Sequence, residues 1–267
     1  MSTADVHDGS SGSSTKPGQH DESITPTTKE HTMSGTQIDG AAALVTGGNR
    51  GFGRAMVHEL LTRGAAKVYA TSRSPHPTTD ERIVPLVLDV TDDDSVAAAA
   101  QAAPDVSIVV SNAGILLRTP VLEAPLTDIR AELETNLFGT IRIARTFAPA
   151  LARHPSSSLV NVLSVLSWLA LGSGYEISKA AAWSATNSMR LQLRDQGTTV
   201  TALHVAYMDT DMTAGLDVPK TDPHEVARQT AEAILAGEFE VLADNTTRTV
   251  KAGLSHEVID QYKQLAA

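Results

Sequence analysis

The chain has 267 residues, of which 42% are hydrophobic, and it carries a formal net charge of −10 at pH 7. This size and apolar content suffice for one α/β domain with a substantial core. The chain contains no cysteine, which excludes disulfide frameworks, thiolate nucleophiles and cysteine-ligated metal sites.

The net charge also bears on partners, because a negative field repels nucleic acid and anionic membranes. The sequence has no apolar run of about 18 residues that could span a bilayer, and its N-terminus lacks the features of a secretory signal. We therefore expect a cytoplasmic protein that binds no nucleic acid, no membrane and no metal.

Residues 1–38 have the composition of a disordered tail. They are rich in Ser, Thr, Gly, Asp and His and include the tract GSSGSST, so they cannot bury enough apolar surface to offset the entropy cost of ordering. We predict that the folded domain covers residues 39–267. Met33 lies shortly before the first predicted strand, so the native start is either Met1 or Met33, which an intact-mass measurement on natively produced protein would distinguish.

From Ala41 onward, short apolar runs alternate with longer amphipathic stretches. This alternation is typical of repeated βαβ units and a parallel sheet. We predict a single α/β domain with a doubly wound, Rossmann-type parallel sheet. Its predicted strands are 42–46, 67–71, 83–88, 106–111, 159–163, 199–205 and 240–242. Its predicted helices lie between 52 and 64 and near 92–102, 126–153, 176–195 and 223–236.

The first strand runs directly into the glycine-rich segment TGGNRGFG, residues 46–53. Glycine permits positive φ and lets the backbone approach a pyrophosphate without a Cβ in the way. The helix that follows points its free N–H groups towards the same place. A glycine-rich turn alone is often only a turn, but the strand before it and the helix after it favour dinucleotide binding.

Further motifs follow in a fixed order. Asn112-Ala113-Gly114 follows the fourth strand, Asn136 lies in a long predicted helix, Ser164 ends the fifth strand, and Tyr175-x-x-x-Lys179 opens the next helix. With the TGxxxGxG spacing of the first turn, these motifs resemble the short-chain dehydrogenase/reductase family over about residues 40–245. Taken singly, each polar residue has an ordinary structural explanation. Jointly they converge where open α/β sheets bind ligands.

The resemblance implies a catalytic set of Asn136, Ser164, Tyr175 and Lys179. Hydride transfer to a carbonyl needs a proton donor, and the cofactor supplies only the hydride. A phenol with an ordinary pKa of ~10 needs a neighbouring cation to ionise near neutrality, and Lys179 lies one helical turn away. In the family, the lysine also holds the nicotinamide ribose, the serine bonds the substrate oxygen, and the asparagine positions a water.

Two features depart from the family pattern. Ser164 and Tyr175 are one or two residues closer in sequence than is usual, so the intervening loop must be shortened; Ser167, further into that loop, is the less favoured substitute. After the sixth strand, Val205-Ala206 stands where the family has Pro-Gly. Thr210 still matches the threonine that bonds the carboxamide.

The end of the second strand favours NADP(H) over NAD(H). Ser72 stands where NAD enzymes usually carry an acidic residue, Arg73 follows it, and Arg50 lies in the glycine-rich turn, so two guanidinium groups could bind a 2′-phosphate. Arg73 could instead be a solvated loop residue. Asp89-Val90 resembles the pair that contacts adenine. The predicted cofactor-binding residues are Gly47, Asn49, Arg50, Gly51, Phe52, Gly53, Arg73, Asp89, Val90, Asn112, Ala113, Gly114, Tyr175, Lys179, Met208 and Thr210.

The substrate is expected to be a carbonyl compound or secondary alcohol with an apolar body. Nine apolar residues fall in loops that would border Tyr175, although several of them could be core; they are Leu116, Leu117, Val165, Leu166, Trp168, Leu169, Tyr207, Met208 and Met212. The helices at 126–153 and 176–195 resemble those that pair subunits in the family, so we expect a homodimer or homotetramer. The alternative is an NADP(H)-binding sensor or regulator without turnover, although such proteins commonly lose the tyrosine or the lysine.

Overall fold

The computed structural model describes residues 35–262, which contain seven β-strands and eight α-helices. The strands are β1 Ala42–Thr46, β2 Lys67–Ser72, β3 Ile83–Val87, β4 Ile108–Ser111, β5 Ser157–Val162, β6 Thr198–His204 and β7 Glu240–Leu242. The helices are α1 Gly51–Thr62, α2 Asp93–Ala102, α3 Leu126–Leu133, α4 Gly139–Leu151, α5 Gly174–Leu193, α6 Pro223–Ala236, α7 Asn245–Ala252 and α8 Val258–Gln261.

All seven strands pair in parallel in one sheet, in the order β3-β2-β1-β4-β5-β6-β7. The order reverses between β1 and β4, which is the switch point where doubly wound sheets bind ligands. One apolar core packs α1 and α6 against one face of the sheet, and a second core packs α2 and α4 against the other. The predicted doubly wound, Rossmann-type sheet is thereby confirmed.

The N-terminal boundary differs from the composition-based one. Thr36 donates its N–H to the Ile234 carbonyl at 2.9 Å, and the Ile38 side chain is fully buried in the core of α1 and α6. Residues 35–38 are therefore packed, although their composition places them in the tail. The rest of the predicted tail, residues 1–34, lies outside the described residues.

The predicted helix at 126–153 is interrupted. A π-helical turn, Glu134–Phe138, separates α3 from α4, and such turns frequently lie at functional sites. Asn136, at its centre, is buried and directs its side chain to the loop after β4. Hydrophobic periodicity predicts one long helix here because the chain stays helical through the turn, and the local change in hydrogen bonding is not recorded in the pattern of apolar residues.

The prediction also omits the two short helices α7 and α8. Asp244 begins α7 as its N-cap, accepting from the Thr247 N–H at 2.8 Å. Among residues 35–262, no helix combines the length and apolar character needed to cross a bilayer.

Candidate active site

The C-terminal ends of β1, β2, β4, β5 and β6 border a cavity of about 690 Å³. Most of the residues proposed from the sequence line it. These are Gly47, Arg50, Gly51, Phe52, Gly53, Arg73, Asp89, Val90, Asn112, Ala113, Gly114, Ser164, Tyr175, Lys179, Met208 and Thr210. Asn49 and Asn136 lie outside the lining and act on neighbouring backbone and side chains instead.

The glycine-rich turn fits the pyrophosphate of a dinucleotide. Gly47 and Gly51 have φ values of 67° and 50°, which L-residues with a Cβ rarely adopt. A Cβ on Gly53 would lie 2.2 Å from the Gly47 carbonyl oxygen, so only glycine allows α1 to begin so close to β1. The result is a side-chain-free backbone surface at a helix N-terminus, which is the surface that binds phosphate.

Thr46 organises this turn from below, although the sequence analysis did not single it out as a site residue. Its hydroxyl accepts the N–H groups of Asn112 and Ala113 at 2.8 and 2.9 Å. The Asn112 amide returns a hydrogen bond to the Thr46 carbonyl at 2.7 Å. These bonds lock the loop after β4 to the end of β1, across the switch point.

The end of β2 is tied to the same turn by Asn49. Its amide donates to the Ser72 hydroxyl at 2.7 Å and to the Ser74 carbonyl at 2.9 Å. Arg73 is exposed at the edge of the cavity. Hydrogen bonds from Thr91, together with the charge of Arg73, hold the pKa of Asp89 below its usual value. A neutral hydroxyl and an exposed guanidinium thus border the cavity where β2 ends.

Arg50, in the glycine-rich turn, forms an ion pair with the loop after β6. Its guanidinium pairs with the Asp211 carboxylate at 3.2 Å, and both side chains are exposed. Exposed pairs of this kind contribute little to stability, so the guanidinium can be redirected at small cost. Arg118, whose φ of 60° is unusual for a non-glycine residue, donates to the Met212 carbonyl at 2.5 Å. Both arginines hold the loop after β6 over the cavity.

Ser164, Tyr175 and Lys179 come together at the cavity. Ser164 caps a 3₁₀ turn after β5, accepting the Leu166 N–H at 3.1 Å. Tyr175 lies in the first turn of α5, and Lys179 follows one turn later on the same face. The Lys179 ammonium donates to the Val162 carbonyl at 2.8 Å and lies 5.6 Å from the centre of the Tyr175 ring. All three side chains are buried in the protein.

The pKa of the Tyr175 phenol lies above its ordinary value, whereas a neighbouring cation alone would lower it. Burial raises its pKa above the ordinary value; the Ser164 hydroxyl opposes this shift, and the carboxylates of Glu132 and Glu176 add to it. Burial also lowers the pKa of Lys179 to about 8. Desolvation and two nearby carboxylates therefore outweigh the Ser164 hydrogen bond, and the phenol is held in its protonated form.

Both the oxygen and the nitrogen of the Asn136 side-chain amide form hydrogen bonds within the protein. Its oxygen accepts the Ile115 N–H at 2.9 Å, and its nitrogen donates to the Ile115 carbonyl at 3.0 Å and to the Ser178 hydroxyl at 2.9 Å. Ser178 in turn donates to the Tyr175 carbonyl at 2.7 Å. Asn136 thus connects the loop after β4 to the first turn of α5.

Both departures from the family pattern are accommodated locally. The short loop between Ser164 and Tyr175 places both residues at the cavity, whereas Ser167 is buried outside the lining. Ala206, in place of glycine, donates its N–H to the Asp244 carboxylate at 2.8 Å. The N-cap of α7 thereby supports the backbone that borders the cavity after β6.

The apolar wall of the cavity contains only part of the set expected from the sequence. Leu116, Leu117, Met208 and Met212 line it, joined by Ile115. The other five, Val165, Leu166, Trp168, Leu169 and Tyr207, do not line the cavity. Trp168 instead stacks on buried His204, with ring centres 3.8 Å apart.

The family model for short chain dehydrogenases matches residues 41–221, which include the glycine-rich turn, Ser164, Tyr175 and Lys179. The chain belongs to the short-chain dehydrogenase/reductase family. Among curated relatives, this dehydrogenase is similar to the 3-oxoacyl-(acyl-carrier-protein) reductase of Vibrio cholerae, with 29% identity over 81% of this chain and 98% of the relative.

Solved structures of the family have the same fold. A short chain dehydrogenase from Burkholderia cenocepacia in complex with NADP is 34% identical, covers 87% of this chain and 100% of its own, and has a TM-score of 0.79. A short chain dehydrogenase/reductase from Burkholderia phymatum in complex with NAD is 23% identical, covers 81% and 93% of the two chains, and has a TM-score of 0.72. Relatives of this fold thus occur with either dinucleotide.

Proposed function

We propose that this short-chain dehydrogenase/reductase is an NADP(H)-dependent enzyme that interconverts a carbonyl compound and a secondary alcohol. The observation that carries the proposal is the convergence of Ser164, Tyr175 and Lys179 at one end of a cavity whose other side is the glycine-rich turn. When bound, a nicotinamide supplies or accepts the hydride. The protein must then supply or accept the proton.

Tyr175 is the proposed proton donor in the reductive direction. Its hydroxyl proton passes to the carbonyl oxygen while the carbonyl carbon receives the hydride, so that an alcohol and a phenolate result. The buried ammonium of Lys179 stabilises that phenolate, and Ser164 donates a hydrogen bond to the substrate oxygen. Because the raised pKa of Tyr175 keeps the phenol protonated at neutral pH, the resting site is prepared for carbonyl reduction.

The proposed cofactor is NADP(H). The glycine-rich turn would hold the pyrophosphate, Asp89 and Val90 would border the adenine, and Lys179 and Thr210 would face the nicotinamide end. Ser72 presents no charge that would repel a 2′-phosphate, and Arg73 presents a cation to it. The NADP complex of the relative that is 34% identical supports the same choice.

The proposed substrate has an apolar body, because Ile115, Leu116, Leu117, Met208 and Met212 form the wall beside Tyr175. The relatives named 3-oxoacyl reductases make 3-oxoacyl thioesters one class to include among the candidates. We also propose a homodimer or homotetramer, as expected from the family resemblance.

The deciding experiment is a screen of apolar ketones, aldehydes, 3-oxoacyl thioesters and secondary alcohols, followed by NADPH absorbance. Tyr175→Phe is expected to lower kcat by at least about a thousandfold while NADPH affinity changes by less than a few-fold. The matched control is Tyr207→Phe, whose ring does not line the cavity and whose activity should match wild type. A Tyr175→Phe enzyme that keeps most of its kcat would contradict the mechanism. NADPH binding without turnover on any substrate class would favour a sensor instead.

A further inference from the structure

Glu132, near the end of α3, is a buried acid with no part in the proton transfer described above. Only 2% of its surface is exposed. A buried carboxylate destabilises a fold unless hydrogen bonds compensate for its lost hydration. Burial raises the pKa of Glu132; the Leu117 N–H opposes this, and Glu176 and Asp128 reinforce it.

The contacts of Glu132 join two parts of the active site. One carboxylate oxygen accepts the Leu117 N–H at 2.8 Å, and Leu117 lines the cavity. The other oxygen packs against Gly174, where an added Cβ would lie only 2.6 Å from it. Gly174 directly precedes Tyr175. The carboxylate therefore lies between the apolar wall and the residue before the proton donor.

Glu132 acts together with Asn136, one helical turn further on. Asn136 holds both backbone groups of Ile115, and Glu132 holds the N–H of Leu117, two residues later. One helical turn rises about 5.4 Å, which is within the span of two chain residues, so the two side chains can hold alternate residues of the loop. The apolar wall at Ile115–Leu117 is thus attached to α3 and the π-helical turn.

The charged and polar groups that face Tyr175 come from three elements. Glu132 approaches from α3, Glu176 and Lys179 belong to α5 itself, and the Ser164 hydroxyl follows β5. Glu176 is committed to the loop before α5, where it accepts from the Ser173 N–H and hydroxyl at 2.7 Å each. Glu132 is the acid that contacts both the wall and the backbone beside the phenol.

We propose that Glu132 is a positioning residue that fixes the apolar wall through the Leu117 amide and, through its negative charge, keeps Tyr175 in the proton-donating form. This inference rests on the proposed function. It separates two effects of one side chain: the hydrogen bond governs how the substrate's apolar body binds, and the charge governs the pH range over which the phenol is protonated.

Two variants separate these effects. Glu132→Gln keeps an oxygen acceptor for the Leu117 N–H but removes the charge. The pH at which alcohol oxidation reaches half its maximal rate should then fall by about half a unit or more, with KM within twofold of wild type. Glu132→Leu removes both the acceptor and the charge. Its half-maximal pH for alcohol oxidation should fall by the same amount, and its KM should be at least about fivefold higher than that of wild type. Asp128→Asn is the matched control: it removes a like charge one turn earlier on α3, so KM should not change and the pH shift should be less than half as large.

The outcomes are separable from failure of the proposed function. If wild type turns over no substrate, the proposed function fails. The charge effect can then be measured without turnover, by titrating the phenolate absorbance of Tyr175. This absorbance is the difference between each protein and the same protein with Tyr175→Phe. In that titration, Glu132→Gln should ionise Tyr175 at lower pH than wild type. Superimposable titrations or rate profiles for Glu132→Gln and wild type would overturn the charge effect, and equal KM values for Glu132→Gln and Glu132→Leu would overturn the positioning effect.

Discussion

We predict that Arg73 sets the preference between the two dinucleotides. It lies at the edge of the cavity beside Ser72, and a 2′-phosphate would bring close to two negative charges to it. Arg73→Ala is expected to cost roughly 1.5–3 kcal/mol of NADPH affinity, the value of a hydrogen bond to a charged group. NADH affinity should change little. Fluorescence titration of both cofactors against wild type and variant measures the difference.

Two further variants sharpen this prediction. Adding Ser72→Asp should move the preference towards NADH, because a carboxylate accepts from the ribose hydroxyls and repels the phosphate. Arg54→Ala is the control, since Arg54 is exposed on α1 and does not line the cavity; it should leave both affinities unchanged. Equal losses of NADPH and NADH affinity in Arg73→Ala would show that Arg73 does not recognise the phosphate.

Residue by residue, the sequence identifies groups whose spacing is local and misses those whose partners are distant. Tyr175 and Lys179 are four residues apart on one helix, so their spacing alone places them together. Thr46 holds a loop 66 residues away, and Glu132 lies against a helix that starts 42 residues later. Thr46 begins the TGxxxGxG motif, but that spacing does not reveal its hydrogen bonds to the loop after β4, and no local pattern marks Glu132. Only the folded sheet brings the partners of these residues close.

At the level of elements, apolar periodicity predicts most of the architecture. Each of the seven strands overlaps a predicted one, and β1, β7 and α6 agree at both ends. The misses have physical causes. The π-helical turn at Glu134–Phe138 contains Asn136, whose hydrogen bonds to the loop after β4 are not recorded in a helical pattern. Helix α7 has only eight residues, of which just Val250 and Ala252 are apolar, so it contains too few apolar positions to be predicted from their spacing.

Buried His204, which contacts the Ser164 carbonyl, is expected to make the folding stability of the whole molecule depend on pH. It is fully buried at the end of β6, with Nδ1 3.0 Å from the Ser164 carbonyl, and burial lowers its pKa to about 4. Between about pH 6.5 and pH 4, the histidine is protonated in the unfolded chain but stays neutral in the folded protein, because its unfolded pKa is near 6.5. Folding stability should therefore fall as pH drops from about 6.5 to about 4, by up to about 3 kcal/mol from this residue.

Urea unfolding at pH 7 and at pH 4.5 measures this dependence. His204→Phe should be less stable than wild type at pH 7, since the bond to Ser164 is lost, but should lose less stability between the two pH values. His58→Phe, a change at an exposed histidine of α1, is the control and should keep the wild-type slope. Equal pH slopes for wild type and His204→Phe would contradict the assignment to His204.

Subunit association is predicted from large apolar side chains that are left exposed on two helical regions. Phe138 at the end of the π-helical turn and Ile177 and Leu191 on α5 are 46%, 44% and 75% exposed. They lie in the two helical regions, 126–153 and 176–195, that resemble the subunit-pairing helices of the family. A homodimer or homotetramer that buries them should be visible by light scattering at micromolar concentration.

The double variant Phe138→Glu with Leu191→Glu should lower the measured mass, because burying two charges opposes association. Val258→Glu changes a similarly exposed residue on α8 and should leave the mass unchanged. A wild-type monomer, or a double variant with the wild-type mass, would place the interface elsewhere or exclude it.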